Sequence, residues 1–582
     1  MFRTGSCSLP RLGSTSGRAR DLLAGLGSAM FSNLRRLESF HRHPVIKTSS
    51  GGPDFGKCAE LLADVYKAAD TESLHSTTFN NRPNNIPPIS VEEISIAIKC
   101  MRKGKAPDRQ GVLIEMLLHA GESVLQDLAI FYNGIIQTGI IPETWRESFF
   151  TLLHKGGDSI DPNNWRPIAV LSIPYKLLAR IVFNRIRGIL DAQQSQEQFG
   201  FQKKRSTSDA MIVAESLISQ SLEFNVDLWL VSVDLRKAFD RVEHGPLFEA
   251  LQRQGLPACY IHLLRAIYKD QYGLVGDNLR FPITRGVRQG DVLSPLLFNC
   301  VLEDAMRMWK EKLNSHGVAT SDDDAGNRLT NVRFADDLLL FARSLEEAIS
   351  MLDMLTETLK AYGLELNVKK TKILSTTVTQ QDTVLVDSAE GFVEVVAASR
   401  SHKYLGRAWP GNLRIRGQVA LDHRMACAWA KFRSLSHSLT NKHVNIKLRL
   451  KLFNATVTPA ATYCLETCPL TRSQLNQLDI VQRRMLRRMV GWVMDSEDSW
   501  EDAGRRMKHR LASALNQHHV ECWSGVIEHK KKALLQRLLL IGGPVLPQIA
   551  FRWSPISCAK ANQNRPCRSQ GHPWRRWHDG LA

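Results

Sequence analysis

The stretch RFADDLLLFA, Arg333 to Ala342, sets two adjacent carboxylates, Asp336 and Asp337, between runs of β-forming and apolar residues. The flanks read as two strands and the doublet as the turn between them. Like charges side by side repel, and taking either out of water is costly unless a cation sits there. Two readings are open at this point. The doublet is a solvated turn, for which aspartate is a common residue, or it is a carboxylate site that a cation completes.

A second acid bears on that choice. In LWLVSVDL a β-branched and aromatic run puts Leu230, Ser232 and Asp234 on one face of a strand, with Asp234 at its end. Alone, Asp234 reads equally as a strand-end turn or a helix N-cap. If the two segments are neighbours in one sheet, three carboxylates converge at its edge. Such a cluster suits a hard cation such as Mg²⁺, and two such ions can clamp the attacking and leaving oxygens of a phosphoryl displacement.

Other segments fit the same chemistry, each with a plainer reading beside it. GVRQGDVLSPLLF places Gly286, Gln289 and Gly290 ahead of a helix starting near Ser294 and Pro295. Glycine permits close backbone approach to a ligand, and glutamine offers a donor and an acceptor; a Gly-rich turn is the alternative. Phe239 carries a ring that could refuse a sugar 2′-hydroxyl, or is a core aromatic. Lys155 in LLHKGGD and Arg166 in NWRPI flank a hairpin and could hold a triphosphate, although exposed cations are commonplace.

The totals frame these candidates. The 582 residues hold 76 basic and 58 acidic side chains, a net charge of +18. That excess points to a polyanion, nucleic acid before a membrane surface. Eleven scattered cysteines without a CxxC pair read as reduced thiols in a reducing compartment. Cys558, Cys567 and His572 lack a fourth ligand for a zinc knuckle. No apolar run approaches the ~18 residues of a spanning helix, so no membrane partner is expected. The first twenty residues carry four arginines and no acid. They fit a mitochondrial transit peptide as well as a disordered basic leader.

Along the chain, residues 1–56 read as an unstructured basic leader. A capping box, Ser90 with Glu93, opens a helix within a helical stretch over 57–148. Strands and helices alternate over 149–400, and a periodic helix between 343 and 362 ends at Gly363. NSHGVATSDDDAGNRL, with Asp322, Asp323 and Asp324, reads as a solvated loop. Residues 401–540 are mainly helical and basic. There VQRRMLRRMVGW sets Arg483 with Arg487, and Arg484 with Arg488, at i,i+4 spacing on one cationic face. Residues 541–582 are rich in Pro, Trp and Arg, and mostly irregular structure is expected.

Taken in order, these segments resemble the reverse transcriptases of non-LTR (LINE-type) retrotransposons over roughly residues 90–410. NWRPIAVLSIPYKLLARIVFNRI is similar to the fingers segment of that family, and QFGFQKKRSTSDAM to its template-contacting segment. VSVDLRKAFDRV, GVRQGDVLSPLLFN and RFADDLLLFA resemble palm motifs A, B and C. GLELNVKKTKIL resembles motif D and HKYLG the primer-grip motif E.

The resemblance implies an α+β right-hand polymerase: fingers and an antiparallel palm sheet over 149–400, then a helical thumb over 401–540. It implies catalytic carboxylates at Asp234, Asp336 and Asp337. Asp234, Asp336 and the Leu235 carbonyl would ligate two Mg²⁺ ions, with Mn²⁺ as a substitute. Lys370 would donate a proton to the leaving pyrophosphate. Phe239 would select deoxynucleotides, Gln289 and Gly290 would line the nucleotide pocket, and Lys155 and Arg166 would grip the triphosphate. Arg205 and its neighbours would track the template, and Tyr404, Leu405 and Gly406 would position the primer end. The implied partners are an RNA template, a DNA primer or target and dNTPs. A nuclear, or nuclear and cytoplasmic, location is expected.

Two departures stand out. GKAPDRQG replaces the Gly-Pro-Asp-Gly run usual after GKAP in that family, and Val292 stands where motif B commonly has Pro. They favour, as the alternative, a catalytically inactive nucleic-acid-binding remnant. An RNA-dependent RNA polymerase or maturase-like enzyme on the same palm is a third reading, opposed by Phe239. No endonuclease pattern is read ahead of residue 90 or within 500–582.

Overall fold

In chain order the strands are β1 (Glu147–His154), β2 (Trp165–Val170), β3 (Trp229–Val233), β4 (Gln271–Val275), β5 (Leu279–Ile283), β6 (Val318–Ala319), β7 (Arg328–Leu329), β8 (Asn331–Phe334), β9 (Asp337–Ala342), β10 (Lys372–Ser375), β11 (Thr383–Val386), β12 (Gly391–Val395), β13 (Ser401–Tyr404) and β14 (Arg407–Pro410). The structure is a computed structural model. It describes residues 55–68, 85–156, 158, 164–276, 279–319, 328–377, 382–491, 499–540, 546–552 and 576. Most of the expected leader and tail, the run Asp322–Asp324, and Cys558, Cys567 and His572 lie outside the described residues. The described part is a mixed α/β protein. It forms two discontinuous units, residues 1–190 with 239–297, and residues 191–238 with 298–582. Their boundaries fall inside the span 149–400.

The first unit holds a four-stranded sheet in the order β2-β1-β4-β5. β1 and β2 form the hairpin expected between Lys155 and Arg166; beyond its register the Lys155 N–H donates to the Asn164 carbonyl at 2.7 Å. β1 runs parallel to β4, and β4 returns antiparallel as β5. The rings of Tyr66, Phe150 and Phe281 pack together against this sheet, with centroids 5.4–6.2 Å apart. The helix Val91–Cys100 opens on the expected box: Ser90 caps the Glu93 N–H and Glu93 reaches back.

The second unit is built on a six-stranded sheet, β11-β12-β10-β3-β9-β8. β3 is central, antiparallel to β9 on one side and to β10 on the other. All five of its residues are buried, as a strand covered on both faces requires. The helix Thr207–Phe224 is buried at every position from Asp209 onward. It shares one apolar core with β3, β8, β9 and the hairpin β13–β14. A separate core gathers the helices Arg416–Ser434, Ile446–Thr462, Arg472–Val490 and Trp523–Leu540. There the Trp523 ring stacks on Phe453 at 5.9 Å.

Two expectations need adjustment. The leader was expected to extend through residue 56, but a helix begins at Phe55. Within the tail expected to be irregular, Leu546–Arg552 is helical. Its Leu546 and Ala550, at i,i+4 spacing, bury into the sheet core.

Candidate active site

The register of the central strands brings the acids together. β3 and β9 pair from Trp229↔Ala342 to Val233↔Leu338. One step further, the same register sets Asp234 opposite Asp337. Residues so opposed in an antiparallel ladder have Cα atoms about 5 Å apart and side chains on one face. Phe334↔Asp337 closes the β8–β9 hairpin, leaving Ala335 and Asp336 at its tip. The turn read at the doublet lies one residue earlier, at Ala335 and Asp336, and Asp337 already opens β9 beside the end of β3. Ala335 has φ +58°, a left-handed conformation that a residue with a Cβ adopts only when its surroundings hold it.

Motif D fixes the other side of Asp234. Leu235 bridges to Leu366, the Arg236 N–H donates to the Glu365 carbonyl at 2.9 Å, and the Asn367 N–H donates to the Asp234 carbonyl at 2.8 Å. The Asp234 N–H donates to Thr371 Oγ1 at 3.3 Å. The turn that follows carries Lys370, whose Nζ lies 3.9 Å from Asp234 Oδ2.

The crowding of like charges shows at Asp337. Asp337 keeps solvent-accessible surface, yet the atoms packed around its carboxyl desolvate it. Desolvation first, then Asp336 and Asp234, push its pKa up from 3.8 to about 7, with Lys370 opposing. Among the described residues, no group of three or more His, Cys, Asp or Glu side chains forms a ready-made metal cage. The donors still fit a hard cation. They are carboxylates, and Asp336 and Asp234 lie near enough to Asp337 for their charges to act on it. Magnesium typically takes one or two carboxylates and keeps several waters.

The hairpin β13–β14, which carries HKYLG, lies in the same unit. Leu405 (φ 45°) and Gly406 (φ 77°) make its two-residue turn, the left-handed pair that suits a tight hairpin. The Tyr404 ring is buried and stacks on Trp409 at 5.5 Å. Leu405 and Gly406 form the tip, and Arg424 donates to the Gly406 carbonyl. His402 Nε2 meets Ser232 Oγ at 2.8 Å, tying β13 to β3. Burial foremost, and then Lys372, hold its imidazole down at about 4, so this histidine is neutral at pH 7.

Lys155, Arg166, Phe239, Gln289 and Gly290 belong to the other unit. Lys155 and Arg166 are exposed on the β1–β2 hairpin, and Phe239 is half-buried. Gln289 Nε2 donates to Asp240 Oδ1 at 2.9 Å, and Tyr66 donates to the same oxygen at 2.8 Å. The Gln289 carbonyl accepts from the Ala169 N–H at 2.7 Å. Gly290, at φ +112°, lies so close to β2 that a Cβ would stand 2.6 Å from the Ala169 oxygen. Only glycine fits there. Asp240 and Tyr66 were not among the sequence candidates. Asp240 ends the KAFD run of motif A, a signal that could have marked it; nothing in the sequence links Tyr66 to it.

Arg205 is turned inward. Its guanidinium donates to the carbonyls of Ser195 and Gln196 at 3.0 and 3.1 Å, and to that of Gln198. Lys203 and Lys204 are the exposed cations beside it.

Residues 153–408 match the family described as reverse transcriptase (RNA-dependent DNA polymerase). The chain carries a reverse transcriptase domain. Over 293 residues, half of this chain, it is 29% identical to a Retrovirus-related Pol polyprotein from type-1 retrotransposable element R2 of Popillia japonica, covering 39% of that protein. It is 22% identical, over 83% of this chain and 55% of the relative, to an RNA-directed DNA polymerase from mobile element jockey of Drosophila melanogaster. With these relatives the reverse transcriptase domain is of the non-LTR retrotransposon type. Telomerase from Candida albicans, solved with a fragment of telomeric RNA, is similar at 13% identity and a TM-score of 0.32 over 67% of this chain and 65% of that one. The chain spans about two fifths to about half of the length of these two curated relatives.

Proposed function

We propose that the chain is an RNA-directed DNA polymerase of a non-LTR retrotransposon, extending a DNA primer 3′-OH with dNTPs on an RNA template. The observation that carries this reading is the β3–β9 register, which sets Asp234 opposite Asp337 beside the tip bearing Asp336. In this reading the sheet of the second unit is the palm of a right-hand polymerase, the β1–β2 hairpin belongs to the fingers, and the helices after residue 416 form the thumb.

Asp234 and Asp336, with the Leu235 carbonyl, would hold two magnesium ions, or manganese in their place. Bound there, the ions would supply positive charge to the triphosphate and to the attacking oxygen. The remaining work falls to the chain. Lys155 and Arg166 bind the triphosphate. Phe239 fills the space a 2′-hydroxyl would need. Gln289, steadied by Asp240, and Gly290 line the nucleotide pocket. Lys370, beside Asp234, delivers a proton to the departing pyrophosphate. Lys203 and Lys204, next to the inward-turned Arg205, track the template, and the Tyr404–Gly406 turn seats the primer end. No protein nucleophile takes part; positioning and charge carry the rate.

Primer extension on an RNA template, with dNTPs and rNTPs compared, tests the reading. Mg²⁺-dependent dNTP incorporation, abolished by Asp234→Asn, is expected. Phe239→Ala should raise rNTP use. Salt-sensitive RNA binding without incorporation would instead identify an inactive remnant.

A further inference from the structure

The segment Glu197–Arg205 does more for the site than its exposed lysines suggest. Gln198 is fully buried. Its Oε1 accepts two main-chain N–H groups, that of Gly200 at 2.8 Å and that of Ala335 at 3.0 Å. Ala335 is the left-handed residue at the tip of the carboxylate hairpin. The backbone on either side of Gln198 is paired with the same strand. The Phe199 N–H donates to the Arg333 carbonyl at 2.7 Å, and the Arg333 N–H donates to the Glu197 carbonyl at 2.8 Å. Gly200 is pressed against the turn itself; a Cβ there would stand 2.1 Å from the Ala335 nitrogen. Arg205 ties the loop shut through the carbonyls of Ser195, Gln196 and Gln198.

We propose that Gln198 is a positioning residue for the metal-binding carboxylates: its amide oxygen holds the Ala335 backbone left-handed and so aims Asp336 at the cation. An acceptor is required at this point, because the Ala335 and Gly200 N–H groups are buried and would otherwise go unmade. A neutral acceptor is required, because a carboxylate would add a fourth negative charge beside three. Glutamine meets both conditions. The inference deepens the polymerase reading and rests on it.

The test uses the whole 582-residue chain. Mn²⁺ binding is followed by electron paramagnetic resonance titration without substrate, beside the Mg²⁺ dependence of primer extension. Gln198→Met keeps the side-chain volume and removes the acceptor. Losing a group that orients a ligand commonly costs about tenfold or more in metal affinity. A rise of that size in the Mn²⁺ dissociation constant is expected. The Mg²⁺ needed for half-maximal extension should rise with it, with kcat reduced and the dNTP KM unchanged. A folded Gln198→Met protein that binds Mn²⁺ as the wild type does overturns the proposal. If that variant precipitates, Gln198→Asn, which withdraws the oxygen by one methylene, carries the same two outcomes. A wild-type chain that binds Mn²⁺ but extends no primer overturns the polymerase reading instead, and the binding comparison still decides the role of Gln198.

Discussion

Two carboxylates in the second unit have opposite surroundings. Glu215 is buried inside the helix Thr207–Phe224, and two arginines meet it: Arg407 at 2.7 Å on one oxygen and Arg416 at 2.7 Å on the other, all three side chains 2% exposed or less. Ser219 accepts from Arg416 at 2.9 Å and completes the set. Asp337 stands at the start of β9 with two further acids and Lys370, whose Nζ lies 3.9 Å from Asp234 Oδ2. Around Glu215 the fold supplies cations and hydrogen bonds, and the result joins the helix to the hairpin β13–β14. Around Asp337, burial and two like charges prevail over Lys370. A buried charge is tolerated when it is matched; an unmatched cluster is retained where a ligand brings the missing charge. The first arrangement serves the scaffold, and the second is the site proposed for catalysis.

The largest expected effect comes from the unmatched side. Asp336→Asn should lower primer extension by on the order of 10³-fold, the scale of losing a key electrostatic group in an active site. The melting temperature of the metal-free protein should hold or rise, because one repelling charge has gone. A fall in stability equal to the fall in activity would erase the contrast drawn here.

On the matched side the effect is on folding. Glu215→Gln leaves two buried guanidinium groups without their counter-charge and should cost about 3–5 kcal/mol in a denaturant titration. Replacing Glu215, Arg407 and Arg416 together by apolar residues of similar volume should recover much of that loss, since such swaps are often neutral. Failure to recover it would mean that the triad holds the hairpin in a way apolar packing cannot.

Asp337 also carries a pH dependence. The Asp337 carboxyl sits above its ordinary value of 3.8, at about 7, in the folded protein. The folded state therefore binds this proton more tightly than the unfolded state does. Its stabilising contribution is complete below pH 3.8 and is lost as pH rises through about 7. In metal-free buffer, Asp337→Asn should flatten the fall in melting temperature across that window. Magnesium should flatten it in the wild-type protein, and thermal scans at a series of pH values would show both.

The smallest effect concerns arginines in a third setting. Arg483, Arg484, Arg487 and Arg488 are exposed on the helix Arg472–Val490, in contrast to the buried Arg407 and Arg416. Arg487→Ala should leave stability within about 0.5 kcal/mol. If the side chain meets a phosphate, the log–log salt slope for single-stranded RNA binding should lessen by about 0.7. An unchanged slope would remove this face from the nucleic-acid path.

Much of this was legible in the residues. Alternation and turn chemistry located β3, the β8–β9 hairpin and the capping box at Ser90, because each is set by neighbours along the chain. The motif order then singled out the three acids. Partnerships across the fold were not legible. Glu215 lies in a helix buried at every position around it, so no apolar stripe distinguishes it, and its two arginines follow some two hundred residues later. Gln198 sits within a segment read as template-contacting, and only the pairing of Phe199 and Arg333 reveals that its amide supports the carboxylate turn. The parallel pairings β1–β4 and β10–β12 escape periodicity for the same reason, since register between distant strands is fixed by packing. The helix Leu546–Arg552 was obscured by the composition of the residues around it.

In the proposed reading, divalent cations are held between the carboxylates of Asp234 and Asp336. Anomalous scattering from manganese, in crystals grown with a primer–template and a non-reactive dNTP analogue, addresses it directly. A manganese peak bonded to the carboxylates of both Asp234 and Asp336 is expected, at about the 2.1 Å typical of magnesium–oxygen ligation. A peak that touches neither carboxylate, or none in crystals that hold the nucleotide, would contradict it.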